Sequence, residues 1–399
     1  MDYEEIKKLD GEYIMNTYGR SPEKTPLFTR GEGCYLYDEN EKQYLDLLSG
    51  LGVNNLGHSH PEVVDYAKAQ LDELLHTSNL YYTMPQVELA KLLVENSFAD
   101  KAFFANSGAE ANEAAIKLAR KYSELNYSED RKKIITVDKS FHGRTIATLT
   151  ATGQEKVREG FGPLPRGFSY VPMNDIQALK EAVDDETCAV MLEPVLGEGG
   201  VYPCEKSYLD QVKELCQEND LLLIFDEVQS GMGRTAKLFA HEHYDIYPDI
   251  MSLAKALGGG LPIGAMLCTD KVVNAFNPGS HASTFGGNPV VARAGVAVVN
   301  TLLEDGFLAG VQENSDYFVN GLKGLVSKYE KVVGVRNQGM MIALQVDGCA
   351  PDILAKALEK GLLINAIGKD IIRLLPPLII EKDDIDKALS GLEEVLSEI

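Results

Sequence analysis

Several residues stand where their chemistry is conspicuous. Asp226 and Glu227 end an apolar run in LLLIFDEVQSG (221–231). Lys255 follows another apolar run and precedes three glycines in SLAKALGGGLPIGA (252–265). In NSGAEANEAAIKLARKY (106–122), Ser107 and Glu110 have the spacing of a capping box, which predicts a helix start. The free N–H groups of a helix start can hold a phosphate, and Gly108 lets backbone approach closely. A lysine amine can form a Schiff base with an aldehyde cofactor. A carboxylate facing a pyridinium nitrogen keeps that nitrogen protonated. Each residue also has a plainer role: Lys255 could snorkel to solvent, and Ser107 could simply cap a helix. An unpaired buried Asp226 would be costly, so it requires a partner.

These residues need a scaffold. Short apolar runs predict strands at 101–106, 132–138, 168–172, 188–194, 221–227, 249–254 and 263–269. Helical patterns lie between several of them, as in AEANEAAIKLARKY and KSYLDQVKELCQEN. Continuous apolar strands alternating with helices imply an α/β fold with a mostly parallel sheet flanked by helices. In such sheets ligands sit beyond the carboxyl ends of the strands. Ser107, Phe141, Glu193, Asp226 and Lys255 all fall at such ends.

The length of 399 residues exceeds one ordinary core and predicts a large and a smaller domain. The expected division is an N-terminal segment 1–56, a large domain 57–290 and a C-terminal part 291–399, the two termini forming the small domain. The formal charge of -22 argues against nucleic-acid or anionic-membrane binding, which needs a basic face. Six scattered cysteines without a C-x-x-C pair read as reduced, buried thiols of a cytoplasmic protein. The charged N-terminus is not a signal peptide, and no apolar run approaches a membrane span.

A lysine, a phosphate cradle and an acid are what pyridoxal 5'-phosphate requires. The motifs SGAEANEAAIK, FHGRT, EPVLGEGG, DEVQSGMGR, LAKALGGGLPIGA and STFGGNP follow one another along the chain. With this set the chain resembles the class III pyridoxal-phosphate aminotransferases, of fold type I, and within them the acetylornithine branch. The resemblance covers nearly the whole chain, including RGEGCYLYDENEKQYLDLLSGLGVNNLGHSHP and GLLINAIGKDIIRLLPPLII.

The resemblance implies roles for individual residues. Ser107, Gly108 and Ala109 hold the cofactor phosphate, and Phe141 stacks on the ring. Asp226 faces the ring nitrogen, Val228 packs on the other ring face and Gln229 bonds near the phenolic oxygen. Lys255 carries the cofactor and shuttles the proton. Thr284 reaches the phosphate in the neighbouring subunit of a homodimer. Arg144, with Ser283 nearby, binds the distant α-carboxylate of N2-acetyl-L-ornithine. Arg373 binds the α-carboxylate of glutamate, and Glu198 pairs with Arg373 when the ω-amino donor is bound. A guanidinium suits both tasks because its fork matches two carboxylate oxygens. The implied reaction moves the δ-amino group of N2-acetyl-L-ornithine to 2-oxoglutarate, in arginine biosynthesis.

Three positions depart from family habits. Leu51 replaces the tyrosine usual in the ornithine branch, which favours an acylated α-nitrogen. Leu196 replaces a common glutamine, and Asn54 stands where a small apolar residue is usual. Succinylornithine, N-succinyl-diaminopimelate and 4-aminobutyrate are rival donors. An isomerase and a cofactor-binding regulator are rivals of other classes. The pairs HSH (58–60) and HEH (241–243) lack metal-ligand spacing, and GMGRTAK lacks the G-K-[ST] of a P-loop. The segment DYAKAQLDELL is expected to serve core or dimer packing.

Overall fold

A computed structural model describes residues 2–21 and 24–399. Seven strands form the central sheet, in the order Lys101–Ala105, Gly264–Cys268, Ile250–Leu253, Leu222–Asp226, Thr187–Leu192, Lys133–Val137, Phe168–Val171. Every residue of Thr187–Leu192 and of Leu222–Asp226 is buried, as expected of strands covered on both faces. Only Gly264–Cys268 runs antiparallel to its neighbours in this sheet, pairing with Ile250–Leu253 on one side and Lys101–Ala105 on the other. Two antiparallel steps restore the direction, so Lys101–Ala105 ends at the same edge as the parallel strands.

That shared edge places the chemistry. Asp226 pairs in register with Ser252, so Asp226 and Lys255 leave neighbouring strand ends. Ala105 pairs with Gly264, and the helix Gly108–Asn126 begins just beyond. Its stripe of Ala115, Leu118 and Ala119 is buried against the sheet.

The chain's two ends meet. A sheet of Phe28–Glu32, Tyr35–Asp38 and Gln43–Asp46 is extended by Leu362–Leu363, which pairs parallel to Leu45 and Asp46. A second antiparallel sheet has the order Val332–Gln338, Met341–Val346, Ile371–Leu374, Asn365–Ile367. Two helices, Pro289–Leu302 and Phe307–Lys328, follow one another and are bent by 71°. Gly306, at φ 84°, makes the break. The first of the pair packs against Pro61–Glu73 and Met84–Glu95. No single helix among the described residues is long and apolar enough to cross a membrane. All six cysteines are free and buried.

Residues 49–52 form a left-handed turn. Ser49, Gly50, Leu51 and Gly52 have φ of 49°, 61°, 69° and 76°. Two of these are not glycine, at a cost of roughly 1–2 kcal/mol each. Asp46 offsets that cost by accepting hydrogen bonds from the Leu48 and Ser49 amides at 2.8 and 2.9 Å. Ser49 also donates its hydroxyl to the Leu375 carbonyl. The turn delivers Val53 to the central cavity.

The helix Pro61–Glu73 buries only Val63 and Gln70. On it and beyond it, Leu71, Leu75, Leu80, Tyr82, Met84 and Phe285 are all exposed. These side chains make an uncovered apolar face on the single chain.

Candidate active site

The strand ends and the helix start enclose a cavity of about 420 Å³. Asp226 lies at its floor, 3 % exposed. Its Oδ2 accepts from His142 Nδ1 and from Asn112 Nδ2, each at 2.7 Å. Its Oδ1 accepts from the Val228 amide at 3.0 Å. Asn112 also donates to the His142 carbonyl at 2.8 Å, tying the helix Gly108–Asn126 to the FHGRT loop. The two carboxylates at this strand end serve two different places. Asp226 turns into the cavity. Glu227 turns away and accepts from the Ala240 and His241 amides, where burial lifts its carboxyl to about 8.

Lys255 lines the same cavity, at the left-handed φ of 45°. Among the described residues its amine makes no hydrogen bond or ion pair. Burial holds its pKa below the ordinary lysine value, against the opposing pull of Glu198. A buried amine without a partner, its pKa lowered by burial, suits a nucleophile.

The helix start is built as expected with one difference. Ser107 Oγ accepts from the Glu110 amide at 3.2 Å, but the Glu110 carboxylate turns to the amide of Asn106, not Ser107. The first amides of the helix, at Gly108 and Ala109, therefore face the cavity without an intrahelical acceptor. A side chain at Gly108 would strike Val228 at 2.7 Å, and one at Gly264 would strike the Ser107 carbonyl. Phe141, half-buried, also lines the cavity.

Beside this floor lies a second charged group. Arg373, 1 % exposed, donates from Nη1 to Glu198 at 2.7 Å and to Gln229 Oε1 at 3.3 Å. Its Nη2 donates to Asn365 at 2.9 Å, and its Nε is buried without a partner. Gln229 donates to Glu198 at 3.2 Å. Burial alone would raise the Glu198 carboxyl. The charge and hydrogen bond of Arg373 outweigh burial and hold it below its ordinary value.

Arg144 lines the cavity but is exposed and, among the described residues, has no ion pair. Its guanidinium sits 5.4 Å from the Phe141 ring centroid. Ser283 borders the site indirectly, accepting from Asn106 Nδ2 at 3.2 Å. Thr284 does not line this cavity. With Ser283, Asn79 and Gln86 it borders a separate hollow of about 710 Å³ next to the exposed apolar face.

Sequence reasoning assigned no role to five residues that shape the site. His142 and Asn112 hold Asp226. Glu193 accepts from the Phe141 and Gly197 amides at 2.8 and 3.0 Å. Burial, with the Asp226 charge adding to it, lifts the Glu193 carboxyl to about 7. Asn365 holds Arg373. Arg336 donates to the carbonyls of Gly200 and Val201 at 2.8 and 3.1 Å, pinning the turn that carries Glu198. Its guanidinium also lies 4.0 Å over the Tyr202 ring. The signal for His142 and Asn112 lay within the quoted motifs, since both flank assigned residues. Nothing local marked Arg336.

The histidine pairs have structural roles. His58 pairs with Asp46 at 2.7 Å, below the left-handed turn. His241 is packed among Phe98, Phe239 and Tyr247, and burial depresses its pKa to about 4.

The family model for aminotransferase class III matches residues 18–396. The chain belongs to the class III aminotransferases. An acetylornithine aminotransferase of Caldanaerobacter subterraneus subsp. tengcongensis is 54% identical over 97% of this chain and 98% of the relative. One from Methanocaldococcus jannaschii is 49% identical over the full length of both. Among solved structures, ornithine aminotransferase from Toxoplasma gondii matches with a TM-score of 0.94 at 30% identity, covering 100% of this chain and 96% of that one. Acetylornithine aminotransferase from Elizabethkingia anophelis matches with a TM-score of 0.88 at 31% identity over all of both chains. A further structure of the Toxoplasma enzyme has pyridoxal phosphate in partial occupancy at its active site. These relatives share the fold-type I architecture of this aminotransferase.

Proposed function

We propose that this class III aminotransferase is an acetylornithine aminotransferase, working in arginine biosynthesis. It transfers the δ-amino group of N2-acetyl-L-ornithine to 2-oxoglutarate, giving N-acetyl-L-glutamate 5-semialdehyde and L-glutamate. Its cofactor is pyridoxal 5'-phosphate. The residues fit that group: an unpartnered amine at Lys255, a fully hydrogen-bonded carboxylate at Asp226 and unused amides at a helix start. When bound, the cofactor supplies an electron sink for the amino-bearing carbon. Lys255 would hold it covalently and, when free, would carry the proton abstracted from the substrate carbon. Asp226 would face the ring nitrogen, while Gly108 and Ala109 would donate to the phosphate with Ser107 alongside. Phe141 and Val228 would cover the ring faces, and Gln229 would lie near the phenolic oxygen.

The observation that carries the substrate reading is the 2.7 Å pair between Glu198 and Arg373 in a cavity where Arg144 stays unpaired. With Arg373 neutralised, the free cation is Arg144, which takes the far carboxylate of an ω-amino donor, aided by Ser283. When glutamate enters, its α-carboxylate displaces Glu198 from Arg373. One pocket then serves two donors of different shape. The names of the curated relatives support the acetylated donor.

The active unit in this reading is a cytoplasmic homodimer. The uncovered face around Leu75, Tyr82 and Phe285 supports it, as does the outward position of Thr284, which serves the partner's cofactor phosphate. The three-part division at residues 56 and 290 goes with this reading.

The test compares kcat/KM for acetylornithine, succinylornithine, N-succinyl-diaminopimelate, ornithine and 4-aminobutyrate with 2-oxoglutarate as acceptor. Acetylornithine is expected to rank first. If it ranks below the other donors, the substrate assignment fails, and turnover without a keto acid would point to an isomerase.

A further inference from the structure

Arg373 is held from two sides by residues of different kinds. Glu198 sits on the turn after Val195–Leu196, in a segment that leaves the central sheet. Asn365 sits on the C-terminal sheet, and its strand is antiparallel to that of Arg373, with the two residues directly opposed. Directly opposed residues point to the same face of a sheet. The bond from Arg373 Nη2 to Asn365 Oδ1 is therefore built into the ladder. The bond to Glu198 is between segments far apart in sequence and can be exchanged.

We propose that Asn365 is a positioning residue for the dicarboxylate half-reaction. It holds the Arg373 guanidinium plane by Nη2, so that Nη1 and the unpartnered Nε keep their direction when Glu198 is displaced. The inference rests on the reading of Arg373 as the α-carboxylate site. Its physical basis is preorganisation. A guanidinium already oriented loses less freedom on binding a carboxylate than one free to rotate. With the ω-amino donor bound, Glu198 and Gln229 also restrain Arg373, so Asn365 matters less. Once Glu198 leaves, Asn365 is the remaining side chain that fixes the plane through Nη2.

The experiment measures both half-reactions in the holoenzyme for Asn365→Ala, Asn365→Ser and Arg373→Ala. Asn365→Ala should raise KM for glutamate and 2-oxoglutarate about tenfold, while the acetylornithine KM and kcat stay within about twofold. Glutarate, a dicarboxylate that cannot react, should bind about tenfold more weakly by calorimetry. Asn365→Ser keeps an acceptor oxygen and should recover part of the loss. It also serves if the alanine variant fails to fold. Equal changes for both donors, or no change for either, would overturn the role of Asn365. If Arg373→Ala raises the glutamate KM and Asn365→Ala does not, only this inference fails. If Arg373→Ala leaves the glutamate KM unchanged, the α-carboxylate reading itself fails.

Discussion

Two buried carboxylates share one cavity and are held in opposite ways. Asp226 accepts three hydrogen bonds, from His142, Asn112 and the Val228 amide, all on the helix or the loops at the large sheet's edge. Asn112 also bonds the His142 carbonyl, which ties two of these donors to each other. Glu198 has one strong partner, Arg373, which belongs to the C-terminal sheet, plus the amide of Gln229. The first carboxylate is held by three donors; in the proposed mechanism the second is replaceable. A permanent counter-charge for a cofactor needs the first arrangement. A pocket for two donors needs the second, because a substrate carboxylate can compete only with a partner that is free to leave.

Three variants probe that contrast, beginning with the fixed end. Asp226→Ala should lower kcat by ~10²–10³-fold, the scale seen when one preorganised electrostatic group is lost. It should also destabilise the cofactor-free protein by about 1–3 kcal/mol, because His142 and Asn112 lose their acceptor. Steady-state kinetics and urea unfolding check both effects, and near-wild-type kcat would remove Asp226 from the mechanism. Glu198→Ala touches the replaceable end and should shift specificity more than rate. With Arg373 unmasked, the preference for glutamate over acetylornithine should rise ~10-fold, consistent with a charged hydrogen bond. Single-turnover kinetics with each donor measure this, and an unchanged ranking would mean that the pair does not gate the pocket.

The last effect is on pH dependence and involves Glu193, which neighbours the fixed group. Its folded pKa of about 7 lies above the unfolded value of roughly 4.3. The raised value means that the folded state binds the extra proton. The stabilisation is full below the unfolded pKa and is lost as pH rises through 7. Cofactor-free Glu193→Gln should therefore lose less stability between pH 5 and 8 than the natural protein, by on the order of 2–3 kcal/mol. Urea unfolding at the two pH values provides the comparison, and parallel losses would show that Glu193 is ionised throughout.

The exposed hollow near Thr284 differs from both carboxylate sites. Its neighbours Leu80, Tyr82 and Phe285 are apolar and uncovered. The completed site of the proposed dimer therefore draws on a surface that a single chain leaves open.

The sequence by itself determined which elements form and which of their ends carry chemistry. Strands buried on both faces leave unbroken apolar runs, so Asp226, Glu193 and Lys255 could be placed at strand ends from their neighbours alone. The Ser107 cap was legible because capping is a contact across three residues. Its carboxylate went to Asn106 instead of Ser107, a choice of rotamer that spacing does not encode. The 71° break between the two long helices has no mark in the apolar pattern, which continues on both sides of Gly306. The tertiary structure alone decided that Asn112 meets Asp226 across 114 positions, that Arg336 pins Gly200 across 136, and that Asn365 stands opposite Arg373. Such contacts follow from sheet order and register, which depend on how distant segments pack together. No local period in the chain records them.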